Sequence, residues 1–285
     1  MHSRINYNHR LLEATKARAE IVTAAALYGR GVFTTLAVYD GHPFQWRAHW
    51  QRLMEHAMRA GVEVAAFDEE TARASLLKLI VANDVKQGRA RLTLLAGAVP
   101  GVWETKGAQE GAQTSLLMMT GEARVVGHEG LALTVSPYRL NTLSPLAGLK
   151  SVNYLEHIMA LEEARARDFD EAVALNERGE VASTTMANLF WTMGGTVHTP
   201  ALSTGALAGT TRSRVIELAH ELSIPTVEGV YDLSDLGDAD EIFLTSAGLG
   251  VALVTTFDFH RYTVAVGSVA LRLHEAFRQL TLRAV

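Results

Sequence analysis

The spacing of apolar residues changes abruptly early in the chain, and that change limits what the chain can fold into. Val32-Phe33-Thr34-Thr35-Leu36-Ala37-Val38-Tyr39 is β-branched and aromatic, the composition of a strand. Asp40-Gly41 is a hairpin-type turn. Beyond it Trp46, Trp50, Leu53, Ala57 and Ala60 recur every three or four residues, which is helical spacing, and Gly61 closes the run. A second helix is expected over about 69–82, then strands at 91–96 and 115–119 separated by a glycine-rich loop around Gly97 to Gly111. Strands and helices interleaved in this way imply an α/β fold, or α+β by some schemes.

Strands and helices go on alternating, without an internal repeat, after a polar, glycine-bounded stretch at 121–130, which reads as a linker between an N-terminal lobe (1–120) and a larger C-terminal lobe (131–285). Strands are expected at 131–136, 171–175, 188–193, 197–199, 242–245 and 251–256, and helices around Val215 to Leu222 and 269–280. A further helix follows Asn153, with Leu155, Ile158, Met159 and Ala166 as its buried stripe.

Bulk properties narrow the function. Of the 285 residues 48% are hydrophobic and 20% charged, enough apolar material for a substantial core. A formal net charge of −5 without a basic block argues against a nucleic-acid surface. With no cysteine, disulfides, thiolate metal sites and cysteine nucleophiles are excluded, and no metal site is expected. No apolar run approaches the roughly 18 residues of a membrane span and no signal peptide is visible, so a cytoplasmic protein is expected.

Three stretches carry chemistry. Lys150 lies beside a tight, glycine-containing turn (Gly148-Leu149-Lys150) just before a helix. A partly dry lysine can lose its proton and become a nucleophilic amine able to form a Schiff base. Arg52, in His49-Trp50-Gln51-Arg52-Leu53, flanks the apolar stripe of its helix and offers a planar fork suited to phosphate. Gly209-Thr210-Thr211 opens a helix whose first N–H groups point outward, the makings of an anion site. Each also has an ordinary structural reading: a surface lysine, a solvated arginine, a helix cap.

Taken in order, five motifs resemble the fold type IV pyridoxal-phosphate enzymes, the class IV aminotransferases. They are the glycine-rich strand Tyr28-Gly29-Arg30-Gly31-Val32-Phe33, the His-x-x-Arg-Leu at His49, the Lys-x-x-Asn at Lys150, Asn188-Leu189-Phe190, and Gly209-Thr210-Thr211-Arg212. The resemblance implies a two-lobed architecture, pyridoxal 5'-phosphate as cofactor, a small-molecule amino substrate, and a homodimer in which loops of the neighbouring subunit close the site. It makes Lys150 the Schiff-base lysine, with Arg52, Gly209, Thr210 and Thr211 at the cofactor phosphate. Tyr154 would lie near the ring hydroxyl, and Tyr28, Phe33 and Arg91 would line the substrate side. The family usually offers a hydroxyl two residues beyond Thr245; here Ala247 stands there, and Thr245 or Ser246 would have to serve. A larger departure is Ser183. Most of the family has, four residues after the glycine at 179, a glutamate that pairs with the pyridine nitrogen. A serine hydroxyl can hydrogen-bond that nitrogen but supplies no counter-charge. A weaker electron sink suits pyruvate elimination that yields an aromatic ring, as in 4-amino-4-deoxychorismate lyase. An aminotransferase of branched-chain or D-amino acids is the alternative, and a cofactor-binding pseudo-enzyme a third.

Overall fold

The structure, a computed structural model, describes residues 1–99, 101, 103, 114–124, 126–127 and 130–283. Most of the expected glycine-rich loop and part of the expected linker lie outside the described residues. The chain divides into two compact units, the first comprising 1–123 with Leu149–Asn153 and the second Arg124–Gly148 with Tyr154–Arg283.

In the first unit the strands are β1 (Arg4–Tyr7), β2 (Arg10–Glu13), β3 (Gly31–Tyr39), β4 (His42–Pro43), β5 (Gln87–Leu95) and β6 (Ser115–Glu122). They form one antiparallel sheet in the order β2-β1-β6-β5-β3-β4. The helices are α1 (Ala24–Tyr28), α2 (Trp46–Arg59) and α3 (Glu69–Ala82). Helix α2 lies on β3, and α3 on β1 and β6. The apolar stripe of α2 produces this packing: Trp46, Trp50, Leu53 and Ala57 join Val32, Leu36 and Val38 of β3 in one buried cluster, with Trp46 and Trp50 stacked 5.6 Å apart. Asp68 caps α3 by accepting the Thr71 N–H at 2.8 Å. Strand β6 continues through Gly121 and Glu122, so the first two residues of the expected linker belong to the sheet.

The second unit contains β7 (Leu131–Leu140), α4 (Leu155–Ala166), β8 (Glu171–Asn176), β9 (Val181–Thr184), β10 (Asn188–Met193), β11 (Thr196–Pro200) and α5 (Thr210–Glu221). It continues with β12 (Thr226–Gly229), α6 (Leu233–Gly237), β13 (Glu241–Ser246), β14 (Gly250–Phe257), β15 (His260–Arg261) and α7 (Val269–Arg283). Its mixed sheet runs β12-β11-β10-β13-β14-β7-β8-β9, with β15 paired to β14. One face buries Leu189 and Trp191 of β10 with Leu244 and Ile242 of β13. Because side chains alternate, Asn188 and Phe190 share the other face with Thr245 and Phe243, and the two phenylalanine rings stack at 5.1 Å. Helix α5 packs against β13. Among the described residues no helix is long and apolar enough to cross a membrane.

Helix α4 corrects one expectation. Its buried residues are Ala160, Leu161 and Ala164, whereas Leu155, Ile158 and Met159 are 68%, 37% and 43% exposed, and Ala166 is exposed too. The two alanines allow close approach to β7 and β8, so the bulkier apolar residues are turned outward.

Candidate active site

Lys150 is fixed by the first unit. Its carbonyl accepts the Phe33 N–H of β3 at 2.9 Å, Val152 N–H donates to the Gly31 carbonyl at 3.0 Å, and Ser151 bridges to Val32. The sequence places the lysine in the C-terminal lobe, but these backbone bonds count it with the N-terminal one. The tie continues at Asn153, whose amide donates to the Gly29 carbonyl at 2.7 Å.

Helix α2 supplies the next layer. His49, Arg52 and His56 sit at i, i+3 and i+7, which is one helical face, and all three are buried. The Thr34 hydroxyl of β3 accepts from the Arg52 guanidinium at 3.1 Å and contacts His49 Nδ1 at 2.8 Å. With its oxygen already accepting from Arg52, the hydroxyl can donate to a neutral His49. Burial, followed by the charges of Arg52 and Lys150, holds that imidazole's pKa well below its usual value. His56 Nδ1 accepts the Lys150 backbone N–H at 3.0 Å. Burial and the charges of Arg52, Arg59 and Lys150 bring its pKa down to about 4.

The amine of Lys150 is drier than its partly exposed residue suggests. Burial first, then Arg52 and Arg91, lower its pKa to about 7. Its Nζ lies 4.6 Å from the centre of the Phe33 ring, and the Arg91 guanidinium carbon lies 3.7 Å from the same centre. Arg91 Nε also donates to the Thr93 hydroxyl at 3.2 Å. The structure thus brings Lys150, Arg52, Phe33 and Arg91 into one unit. Tyr28 is at the end of α1, its hydroxyl accepting the Trp103 N–H at 2.7 Å and its ring stacked on that indole.

The second unit carries the rest of the expected set. Gly209 caps α5, followed by half-buried Thr210 and buried Thr211. An ideal Cβ on Gly209 would stand 2.1 Å from Asn188 Oδ1, while Asn188 Nδ2 donates to the Leu207 carbonyl at 2.8 Å. Thr245, directly across from Asn188, is fully buried, and its Oγ1 has no hydrogen-bond partner among the described residues. The Ser246 hydroxyl accepts the Leu249 N–H of a tight turn at 3.2 Å. Arg212 turns away to the Pro200 carbonyl and the Glu228 carboxylate. Tyr154 stacks on His157 with ring centres 4.3 Å apart. Ser183 is buried on β9 opposite Ala174. Nearby in the chain, Thr185 donates to the carboxylate of Glu171, a wholly buried acid whose pKa burial raises.

Sequence reasoning passes over two residues. His56 continues the spacing of His49 and Arg52 by one helical turn, a signal visible once Arg52 is singled out. Asn188 appears in a motif, but its contact with Gly209 is tertiary.

Each unit by itself carries groups suited to part of a phosphorylated aldehyde. A depressed lysine amine stands with a buried arginine in one unit. In the other, Asn188 abuts the glycine that opens a helix and pairs across the sheet with Thr245, a buried hydroxyl without a hydrogen-bond partner among the described residues. Residues 31–257 match the sequence model of a family described as amino-transferase class IV. The aminodeoxychorismate lyase of Bacillus subtilis is 31% identical over 96% of this chain and 94% of its own. Among solved structures, the branched-chain aminotransferase of Thermoproteus uzoniensis with norvaline has a TM-score of 0.89 at 27% identity, covering 99% of this chain and 95% of that one. The T.th. branched-chain amino acid aminotransferase with pyridoxamine 5'-phosphate has a TM-score of 0.87 at 25% identity, covering 99% and 94%.

Proposed function

Because the chain belongs to the class IV aminotransferase family, a family of pyridoxal-phosphate enzymes, we propose that it is a 4-amino-4-deoxychorismate lyase, eliminating pyruvate to leave 4-aminobenzoate. The observation that carries this reading is Ser183, a buried hydroxyl on β9 where the family usually has a carboxylate.

Pyridoxal 5'-phosphate, when bound, supplies a ring that accepts electrons as the substrate loses its α-proton. Lys150 would hold the cofactor's carbonyl carbon. With a pKa of about 7 its amine is a free base often enough at neutral pH to attack a carbonyl and later to take a proton from the substrate. Arg52 would supply a charge-assisted fork to phosphate from the first unit. In the second unit the N–H groups at Thr210 and Thr211 and the Thr245 hydroxyl would do so, Thr245 being preferred to Ser246 because the latter already caps a turn. Tyr154 would bond the ring hydroxyl. Tyr28, Phe33 and Arg91 would face the substrate. Ser183 can bond an uncharged ring nitrogen but cannot hold it protonated. Elimination that creates an aromatic product brings its own driving force and tolerates this weaker electron acceptor; transamination tolerates it less.

An aminotransferase acting on branched-chain or D-amino acids is the second reading, favoured by the likeness to the Thermoproteus enzyme. A product assay separates the two. Incubated with aminodeoxychorismate, the protein should release pyruvate and 4-aminobenzoate; with amino donors and 2-oxoglutarate or pyruvate it should turn over slowly. Fast amino transfer without pyruvate release from aminodeoxychorismate would reverse the assignment. A homodimer is part of the proposal, supported by the outward-facing Leu155, Ile158 and Met159 of α4, and a monomer that is active at micromolar concentration in sedimentation would remove it.

A further inference from the structure

Both backbone polar groups of Lys150 are tied. Its carbonyl is held by the Phe33 N–H of β3. Its N–H is held by His56 Nδ1, a side chain 94 residues away on α2. Helix α2 is in turn bound to β3 through Thr34, which Arg52 and His49 both contact. The bonds form a closed circuit from β3 to α2, to the lysine and back to β3. Lys150 cannot rotate about its backbone without breaking one of them, which fixes the direction in which its side chain leaves the main chain; its Nζ lies 4.6 Å from the Phe33 ring centre. We propose that His56 is a positioning residue for the reaction, its neutral Nδ1 fixing the main chain of Lys150 and so the direction of the amine.

An acceptor is what this place requires. A cationic imidazole would present a proton to the Lys150 N–H and repel it. The cations around His56, namely Arg52, Arg59 and Lys150, add to burial in keeping the ring uncharged down to about 4. The tautomer is then set, with Nδ1 bare and the proton on Nε2. His56 is 5% exposed, so water has little access to replace it as acceptor.

The functional half of this inference rests on Lys150 being the cofactor-binding lysine. The test uses the full chain with His56→Leu, similar in bulk without an acceptor, and His56→Asn, whose amide oxygen can take the place of Nδ1. Hydrogen exchange at the Lys150 amide, resolved to single residues by fragmentation mass spectrometry, reads the bond itself. His56→Leu should speed exchange there by about tenfold or more, as expected for losing a buried hydrogen bond, and lower kcat by a similar factor with KM little changed. His56→Asn should restore both. Unchanged Lys150 exchange in His56→Leu, or His56→Asn behaving like the leucine variant, would overturn the proposal. If His56→Leu does not fold, His56→Asn decides alone: retained protection supports the role and lost protection refutes it. Should Lys150→Ala keep its turnover, the functional reading of Lys150 fails, while the exchange measurement still reports whether His56 holds that residue.

Discussion

Replacing Gly209 with alanine tests how the start of α5 is built. The backbone there has φ −73° and ψ 135°, which alanine adopts freely, so any cost is steric. The new Cβ would stand 2.1 Å from Asn188 Oδ1 and 3.3 Å from Arg212 Cβ. Asn188 is 6% exposed and bonded to the Leu207 carbonyl at 2.8 Å, so its amide can yield only by giving up that bond. Overpacking costs about 1–3 kcal/mol, and the lost bond adds about 1 kcal/mol, for a total of roughly 2–4 kcal/mol. At about 2–4 °C per kcal/mol for a unit of this size, Tm should fall by roughly 4–16 °C. Thermal unfolding of Gly209→Ala, Asn188→Ser and the double variant gives the measurement. In the Asn188→Ser background the 2.1 Å clash is gone and only the 3.3 Å approach to Arg212 Cβ remains, so Gly209→Ala should cost under about 1 kcal/mol, leaving a coupling of about 2 kcal/mol. If Gly209→Ala melts with the parent, or costs the same in both backgrounds, the asparagine does not define this helix start and the reasoning fails.

Three further outcomes are expected. Arg52→Ala should weaken cofactor affinity by about 1.5–3 kcal/mol, with a smaller effect on substrate; unchanged affinity in a fluorescence titration would return Arg52 to a purely structural role beside Thr34. Acetylation of Lys150 in the cofactor-free chain, followed by peptide mapping, should rise with pH to a midpoint near 7, because the lowered pKa gives free amine above that value and tenfold less for each unit below it; a midpoint above 9 would contradict the burial that sets it. Ser183→Glu places a carboxylate where Ser183 is proposed to meet the ring nitrogen and should speed the half-reaction with an amino donor relative to pyruvate elimination; no change in that ratio would mean that Ser183 points elsewhere.

The helices and long strands are legible because their apolar spacing is regular and their residues large: Val32 to Tyr39 and the Trp46 stripe pack as their pattern implies. Helix α4 is misread because alanine adds little to an apolar pattern, so Leu155, Ile158 and Met159 point to the wrong face. Strands β12 and β15 are too short to show a period. Lys150 and Arg52 stand out by motif, but the lysine's attachment to β3 depends on backbone bonds that no side-chain pattern records. Equally hidden is that the Ser246 hydroxyl is taken by a turn while that of Thr245 has no hydrogen-bond partner among the described residues.

Gly29 and Asn153 bear on how this chain can be redesigned. Gly29 has φ +66°, and a Cβ there would fall 2.1 Å from Asn153 Oδ1, while the same asparagine bonds the Gly29 carbonyl from 124 positions away. The two sites therefore hold one piece of information written in two places. A library that randomises position 29 alone meets both a left-handed backbone and an occupied volume, and one that randomises 153 alone strips the carbonyl of its donor. Only paired libraries, with a residue tolerant of the left-handed region at 29 and a shorter donor at 153, would reach new sequences that still seat the lysine.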